Sequence, residues 1–260
     1  DVCSSDLVKV DEINQSSLLE DSLFGFRYIL SRKGLLGLQV VFFLINFTGS
    51  LCFPLLAPMI LSQTSNNTVL LGTVQSAFGV GGVIGGLILS TWGGPEKKVH
   101  GVLAGMTLSN LFGITLLGLG GSIYLWVVGA FIMMVFNPVI NGSNQAIWQS
   151  KVPPEMQGRV FSARAFIALM SQPIAMAITG PLADGFLLPS MMADGLLAPY
   201  FGWLIGVGPG KGISLLFLVM GLIGALVGVS GYLFKPVRDV ESLLPDHDSI
   251  DNSAKAATVR

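Results

Sequence analysis

Charge is scarce in this 260-residue sequence: Asp, Glu, Lys and Arg together make up 11% of it, while 52% is apolar. A water-soluble domain carries about 25% charged residues, because its surface must be covered with polar groups. A chain with so little charge and a mean hydropathy of +0.71 cannot cover itself against water. This excludes an ordinary soluble globule and makes the lipid bilayer the first expected partner. Cysteine is nearly absent: Cys3 and Cys52 are the only two, too few for a disulfide framework or a cysteine-rich metal site. The two histidines, His100 and His247, both fall in polar segments. A membrane-embedded serine protease would therefore have no base, and the chain is not read as an enzyme. No cluster of metal ligands stands out, and no cofactor is implied. With a formal net charge of −1, nothing points to nucleic acid.

What the sequence has instead is long apolar runs. Six stretches, at 35–61, 69–91, 101–119, 122–149, 161–186 and 212–234, each reach the ~18 residues of a candidate membrane span. They are continuous rather than alternating, so a β-barrel is excluded. Only helix satisfies every backbone N–H and C=O within one segment in lipid. The expected fold class is therefore all-α, a polytopic membrane protein with six transmembrane helices over 35–234. Polar or turn-rich breaks separate the runs: SQTSNNT (62–68), WGGPEKKVH (92–100) and SKVPPEMQGR (150–159). Segment 187–211 is longer, and its Tyr200 and Trp203 suit the membrane interface. The acidic end, 235–260, reads as a solvated, disordered tail. The first seven residues, DVCSSDL, resemble a translated sequencing adapter and are set aside as an expected artefact.

Lys and Arg are unevenly placed. Loops 92–100 and 150–159 carry four between them, whereas 62–68 and 120–121 carry none. The positive-inside rule then puts both termini in the cytoplasm. Glycine is patterned as well. Gly81/Gly85 and Gly82/Gly86 form overlapping small-xxx-small pairs in the second run, and Gly221, Gly224, Gly228 and Gly231 line one face of the sixth. Such faces are expected to pack helices closely.

Polar residues inside spans carry the functional signal, since lipid penalises them. The fourth run holds Asn137, Asn141, Asn144, Gln145 and Trp148 at spacings that place all five on one helical face. This stripe is expected to line a water-filled substrate path, with Asn46, Gln75, Asn110 and Gln172 as single polar residues in other spans. The blander alternative is interhelical hydrogen bonding, worth only about 0.6 kcal/mol per contact. Arg164, about one turn inside the fifth run, reads as a gate or loop anchor. Lys97, Lys98, Arg159 and Asp184 are the other charges near span ends. No carboxylate falls mid-span, so a proton carrier is not expected within this chain. GVGPGKG (206–212) imitates a phosphate loop, but its spacing is one residue short and Gly212 stands where Ser or Thr is needed.

Three segments then show a family likeness. EDSLFGFRYILSRKGLLGL (20–38) resembles the cytoplasmic helix between the two halves of major-facilitator exporters, in the branch of macrolide-efflux and enterobactin-export proteins. IWQSKVPPEMQGRVFSARAFIALMSQPIAMAITGPLADGF (147–186) resembles that branch's tenth and eleventh helices and their loop. GGLILSTWGGPEKKV (85–99) resembles the weaker second copy of the superfamily's loop signature, with Ser90 and Thr91 where an aspartate is common. The resemblance implies helices seven to twelve of a twelve-helix transporter: a linker over 8–34, then a 3+3 inverted repeat forming one half of the fold. It implies efflux of a small amphipathic molecule, proton-driven antiport, a bacterial plasma (inner) membrane location, and a missing amino-terminal six-helix half as partner. The rival classes are a six-helix membrane domain of an ATP-driven transporter and a non-transporting membrane scaffold.

Overall fold

The computed structural model describes residues 15–243, which are helical with no strand among them. An amphipathic helix, α1 (Gln15–Ser31), leads into six helices long and apolar enough to cross a membrane: α2 (Lys33–Gln63), α3 (Thr68–Trp92), α4 (Lys98–Gly118), α5 (Ile123–Lys151), α6 (Pro154–Ser190) and α8 (Lys211–Leu233). The short α7 (Ala198–Ile205) lies between α6 and α8, and α9 (Lys235–Arg238) and α10 (Val240–Leu243) follow. The six spans agree with the six apolar runs to within a turn or two at each end. The expected artefact at 1–7 and the end of the tail at 244–260 lie outside the described residues.

Local chemistry sets the helix ends. Asn67 accepts hydrogen bonds from the backbone N–H groups of Val69 and Leu70, capping α3, which supplies acceptors the first turn otherwise lacks. Gly93, at φ 76°, ends the same helix in the left-handed conformation that glycine adopts without steric cost. Pro154 opens α6 at a position where its missing N–H is not needed.

The spans pack in an order unlike the sequence: α3 against α5, α5 against α4, α4 against α8, α8 against α2, and α2 against α6. Advancing each span by three maps α2, α3, α4 onto α5, α6, α8 and returns equivalent neighbours. The pair α3–α5 becomes α6–α2, and α4–α5 becomes α8–α2. In this row α4 and α8 are the most covered spans, and α3 and α6, at its two ends, the least. Apolar cores fill both ends of the bundle. Leu35, Leu38, Leu103, Ile147 and Trp148 build one, and Met59, Ile60, Leu117, Trp126 and Phe217 the other.

The glycine faces pack as their spacing predicts, with one distinction. A Cβ on Gly81 or Gly85 would run into the carbonyls of Phe131 and Val135 on α5, whereas Gly82 and Gly86 have nothing within 4 Å. On α8, Gly221, Gly224, Gly228 and Gly231 sit against Thr115, Asn110, Thr107 and Leu103 of α4. Without a hydrophobic drive between helices in lipid, such backbone approach supplies the dispersion contacts that hold the seam.

One expectation is corrected. Residues 235–243 are not a solvated tail: Val237 and Val240 are buried in the first core, and α9 packs on α2. The acidic composition there conceals two valines at a spacing that turns both inward.

Candidate functional site

Between the two apolar cores lies a polar groove. It consists of two cavities of ≈ 300 and ≈ 370 Å³ that share Phe42, Asn46 and Asn141. The first is bordered by α2, α4, α5 and α6 through Phe53, Asn110, Asn137 and Gln172, and the second continues along Gln39, Gln145, Phe161 and Arg164. Amides from α2, α5 and α6 thus border one space of drug-like size, a common setting for small-molecule sites, while the buried Asn110 amide of α4 turns onto the Met106 carbonyl and against Gly224 of α8.

Of the four helices bordering the first cavity, two depart from regular α geometry near it and two carry a proline there. Helix α2 tightens to a 3-10 turn at Phe53–Leu55, which contains Pro54. Helix α4 widens to a π-turn at Ser109–Ile114, where the Thr115 hydroxyl donates to the Asn110 carbonyl at 3.1 Å. Pro138 lies inside α5 beside Asn137, and Pro173 inside α6 beside Gln172. A proline inside a helix removes one i→i−4 bond and frees a carbonyl. Irregular backbone at membrane depth is tolerated where it lines a cavity or is buried in protein, and π-turns concentrate at functional sites.

The residues expected along a path divide. Asn46, Asn110, Asn137, Asn141, Gln145 and Gln172 all border the groove. Gln75 is exposed on α3 and borders neither cavity. Asn144 does not border it either: it is 1% exposed, packed in the first core, and its Oδ1 accepts from Trp148 Nε1 at 3.1 Å. The five-residue face of α5 therefore splits, because a stripe about 100° wide spans both a groove edge and a helix contact. The 137–141–145 row faces open space, while 144 and 148 face neighbouring protein. Asn141 Nδ2 donates to the Asn137 carbonyl and side-chain oxygen, both at 3.1 Å.

Arg164 borders the groove rather than a loop. Its Nη1 donates to Gln145 Oε1 at 2.9 Å, and its guanidinium lies 5.2 Å from the Trp148 ring and 6.0 Å from that of Phe161. Gln39 Nε2 donates to the Arg164 carbonyl at 3.1 Å. One residue thus ties α2, α5 and α6 together. Asp184 is exposed in a π-turn at the far end of α6, twenty residues or about 30 Å away along the helix, and the two do not meet.

The remaining gating candidates belong to a second polar cluster at one end of the bundle. The Glu241 carboxylate accepts from the backbone N–H groups of Lys98 at 3.1 Å and Val99 at 2.9 Å, satisfying the first turn of α4. Lys98 Nζ donates to the Gly93 carbonyl at 3.2 Å, while Lys97 stays exposed at the cap. Buried Lys151, ending α5, donates to the Glu241 carbonyl at 2.7 Å, and the Tyr28 hydroxyl of α1 donates to the Lys151 carbonyl at 3.1 Å. Burial holds the Tyr28 phenol above its ordinary pKa, partly offset by the Arg32 guanidinium 3.6 Å over its ring. Arg159 lies over Phe24 at 5.7 Å. The sequence signalled none of the role of Glu241, which sat in an acidic segment without hydrophobic periodicity.

The phosphate-loop imitation at 206–212 proves to be a packed turn. Gly206, Gly208 and Gly210 take positive φ, Gly212 rests against the Leu187 carbonyl, and Lys211 Nζ donates to the Gly120 carbonyl at 3.3 Å.

Comparison with known proteins gives relatives of one kind. Macrolide efflux protein A of Streptococcus pyogenes is 29% identical over 163 residues, 62% of this chain and 40% of that protein. Macrolide efflux protein A of Enterococcus faecalis is 30% identical over 155 residues, 58% of this chain and 47% of that protein. YbcL of Bacillus subtilis, named as an uncharacterized MFS-type transporter, is 28% identical over 170 residues, 64% of this chain and 42% of that protein. The chain thus spans less than half the length of these curated relatives. No family model matches it, and no solved structure does.

Proposed function

We propose that this chain, a relative of major-facilitator efflux transporters, supplies the carboxy-terminal six-helix half of a secondary transporter that exports a small amphipathic compound. The observation that carries the reading is the groove: a polar concavity at mid-bundle, bordered by four helices that each carry a proline or a non-α turn beside it, inside an otherwise apolar set of six spans. The repetition of neighbours under a shift of three spans supports a 3+3 inverted repeat, the arrangement in which substrate sits between two such halves. The lightly covered spans α3 and α6 then offer the surface for the other half. The groove-bordering amides, with Arg164, serve as the substrate path. The cluster around Glu241 lies on the cytoplasmic side with both termini, as the Lys and Arg distribution requires. Proton coupling draws on a carboxylate outside this chain, because no acid among the described residues borders the groove.

Two measurements test this. Residues 8–260 and the full-length parent are reconstituted in liposomes under an imposed proton gradient, with a panel of amphipathic compounds. The parent is expected to accumulate a compound that the six spans alone do not, and equal rates would refute the half-transporter reading. Single cysteines placed in loops 92–100 and 62–68, in a Cys52-free background, report orientation. Labelling of 92–100 by an impermeant reagent in intact cells would reverse it.

A further inference from the structure

Among the described residues that border the groove, Arg164 is the one whose charge has a fixed sign, and no carboxylate among them stands beside it. Asn and Gln can present either a donor or an acceptor to a ligand; a guanidinium only donates. The Arg164 acceptor in the protein is the neutral amide oxygen of Gln145, and no ion pair forms to it among the described residues. Its position is nevertheless set. The ring faces of Trp148 and Phe161 lie at 5.2 and 6.0 Å, and Gln39 holds its backbone carbonyl at 3.1 Å. A cation held in place, half-buried, without a counter-charge and with donors left over is the arrangement that recognises an anion. A carboxylate, sulfonate or phosphate matches the guanidinium fork in two parallel hydrogen bonds. A cationic ligand entering the same space would meet an unpaired like charge where screening by water is reduced. The apolar part of a ligand finds Phe42 and Phe161 on the same wall.

We propose that the groove selects anionic amphiphiles, with Arg164 as the residue that receives the acidic group. This rests on reading the groove as a substrate path, and deepens it by naming the charge class.

The test uses the full-length parent in lipid nanodiscs for equilibrium binding, and in liposomes for gradient-driven accumulation. The probes are the anion 1-anilinonaphthalene-8-sulfonate, its neutral analogue N-phenyl-1-naphthylamine, and the cation ethidium. The anion is expected to bind most tightly. Arg164→Gln should weaken it by about tenfold or more and leave the neutral probe within about twofold, with Arg164→Lys in between. The assignment is overturned if Arg164→Gln weakens all three probes alike, which is what a purely structural arginine would do. It is also overturned if the anion is unaffected, if ethidium is preferred, or if none of the three binds. Should Arg164→Gln fail to fold, the wild-type order of the three probes decides. Anion-selective binding without accumulation of any probe would uphold the charge assignment and remove the transport reading instead.

Discussion

The α4–α8 seam and the groove bordered by α2, α5 and α6 are made of the same kind of helix, yet they use the space between helices in opposite ways. Along the seam, four glycines let α8 lie directly on α4, and the Leu218 backbone rests on Gly118. Polar groups there, such as Thr107 and Asn110, turn their donors back onto their own helix. Along the groove, Phe42 and Phe161 border open space, and Asn137, Asn141 and Gln172 stay exposed. Where neither helix–helix contact nor lipid contact gains from the hydrophobic effect, stability concentrates where backbones touch. The open side then carries polar chemistry at little structural cost.

The largest effect is expected where that contrast is broken from the packed side. Gly118→Val would drive a branched Cβ into the Leu218 backbone and toward the Ser214 carbonyl, 2.8 Å from an ideal Cβ. Overpacking a rigid contact costs about 3 kcal/mol, so the folded yield by size-exclusion chromatography should collapse. Glu241→Ala comes next: it removes the acceptor for two N–H groups opening α4, a loss of about 1–2 kcal/mol by comparison with other helix caps. Amide exchange at Lys98 and Val99 should accelerate, and Glu241→Gln should lose less.

On the groove side the expectation reverses. Replacing the exposed Asn137 and Asn141 together by leucine should shift stability by no more than about 0.5 kcal/mol, while transport by the full-length parent falls by at least about tenfold. A stable double variant with full transport would mean that the groove is not the path. The smallest effect is expected at Gly86→Val in this chain alone, since nothing lies within 4 Å of that position. In the full-length parent the same change should become damaging if α3 meets the other half, and measuring both separates a lipid-facing glycine from an interface glycine.

Much of this architecture is legible in the sequence, because a bilayer forces long apolar helices and penalises stray polar groups. The six runs, the glycine faces and six of the eight polar residues singled out, now found beside the groove, all follow from those two constraints. What escapes is whatever depends on which helix lies next to which. The split of the α5 stripe into open Asn141 and buried Asn144 could not be read from an angular spacing that places both on one face. Gln75 looked equivalent to Gln172 until the packing order placed α3 away from the groove. The π-turn in α4 and the Glu241 cap left no mark at all, since neither changes composition or period.

The packing order also sets a timetable for synthesis. Helix α2 finds its neighbours in α6 and α8, and its Gln39 side chain meets Arg164, 125 residues further along. At ribosomal speeds of about 5–20 residues per second, that partner emerges on the order of ten seconds later. Meanwhile α3, α4 and α5 can already assemble with one another, so the last-formed contacts of the bundle are those of α2 with α6 and α8 and of α4 with α8. A nascent chain of this kind spends that interval with Gln39 unmatched in the bilayer or its insertion machinery, and any holding factor that acts on it has its earliest client in α2.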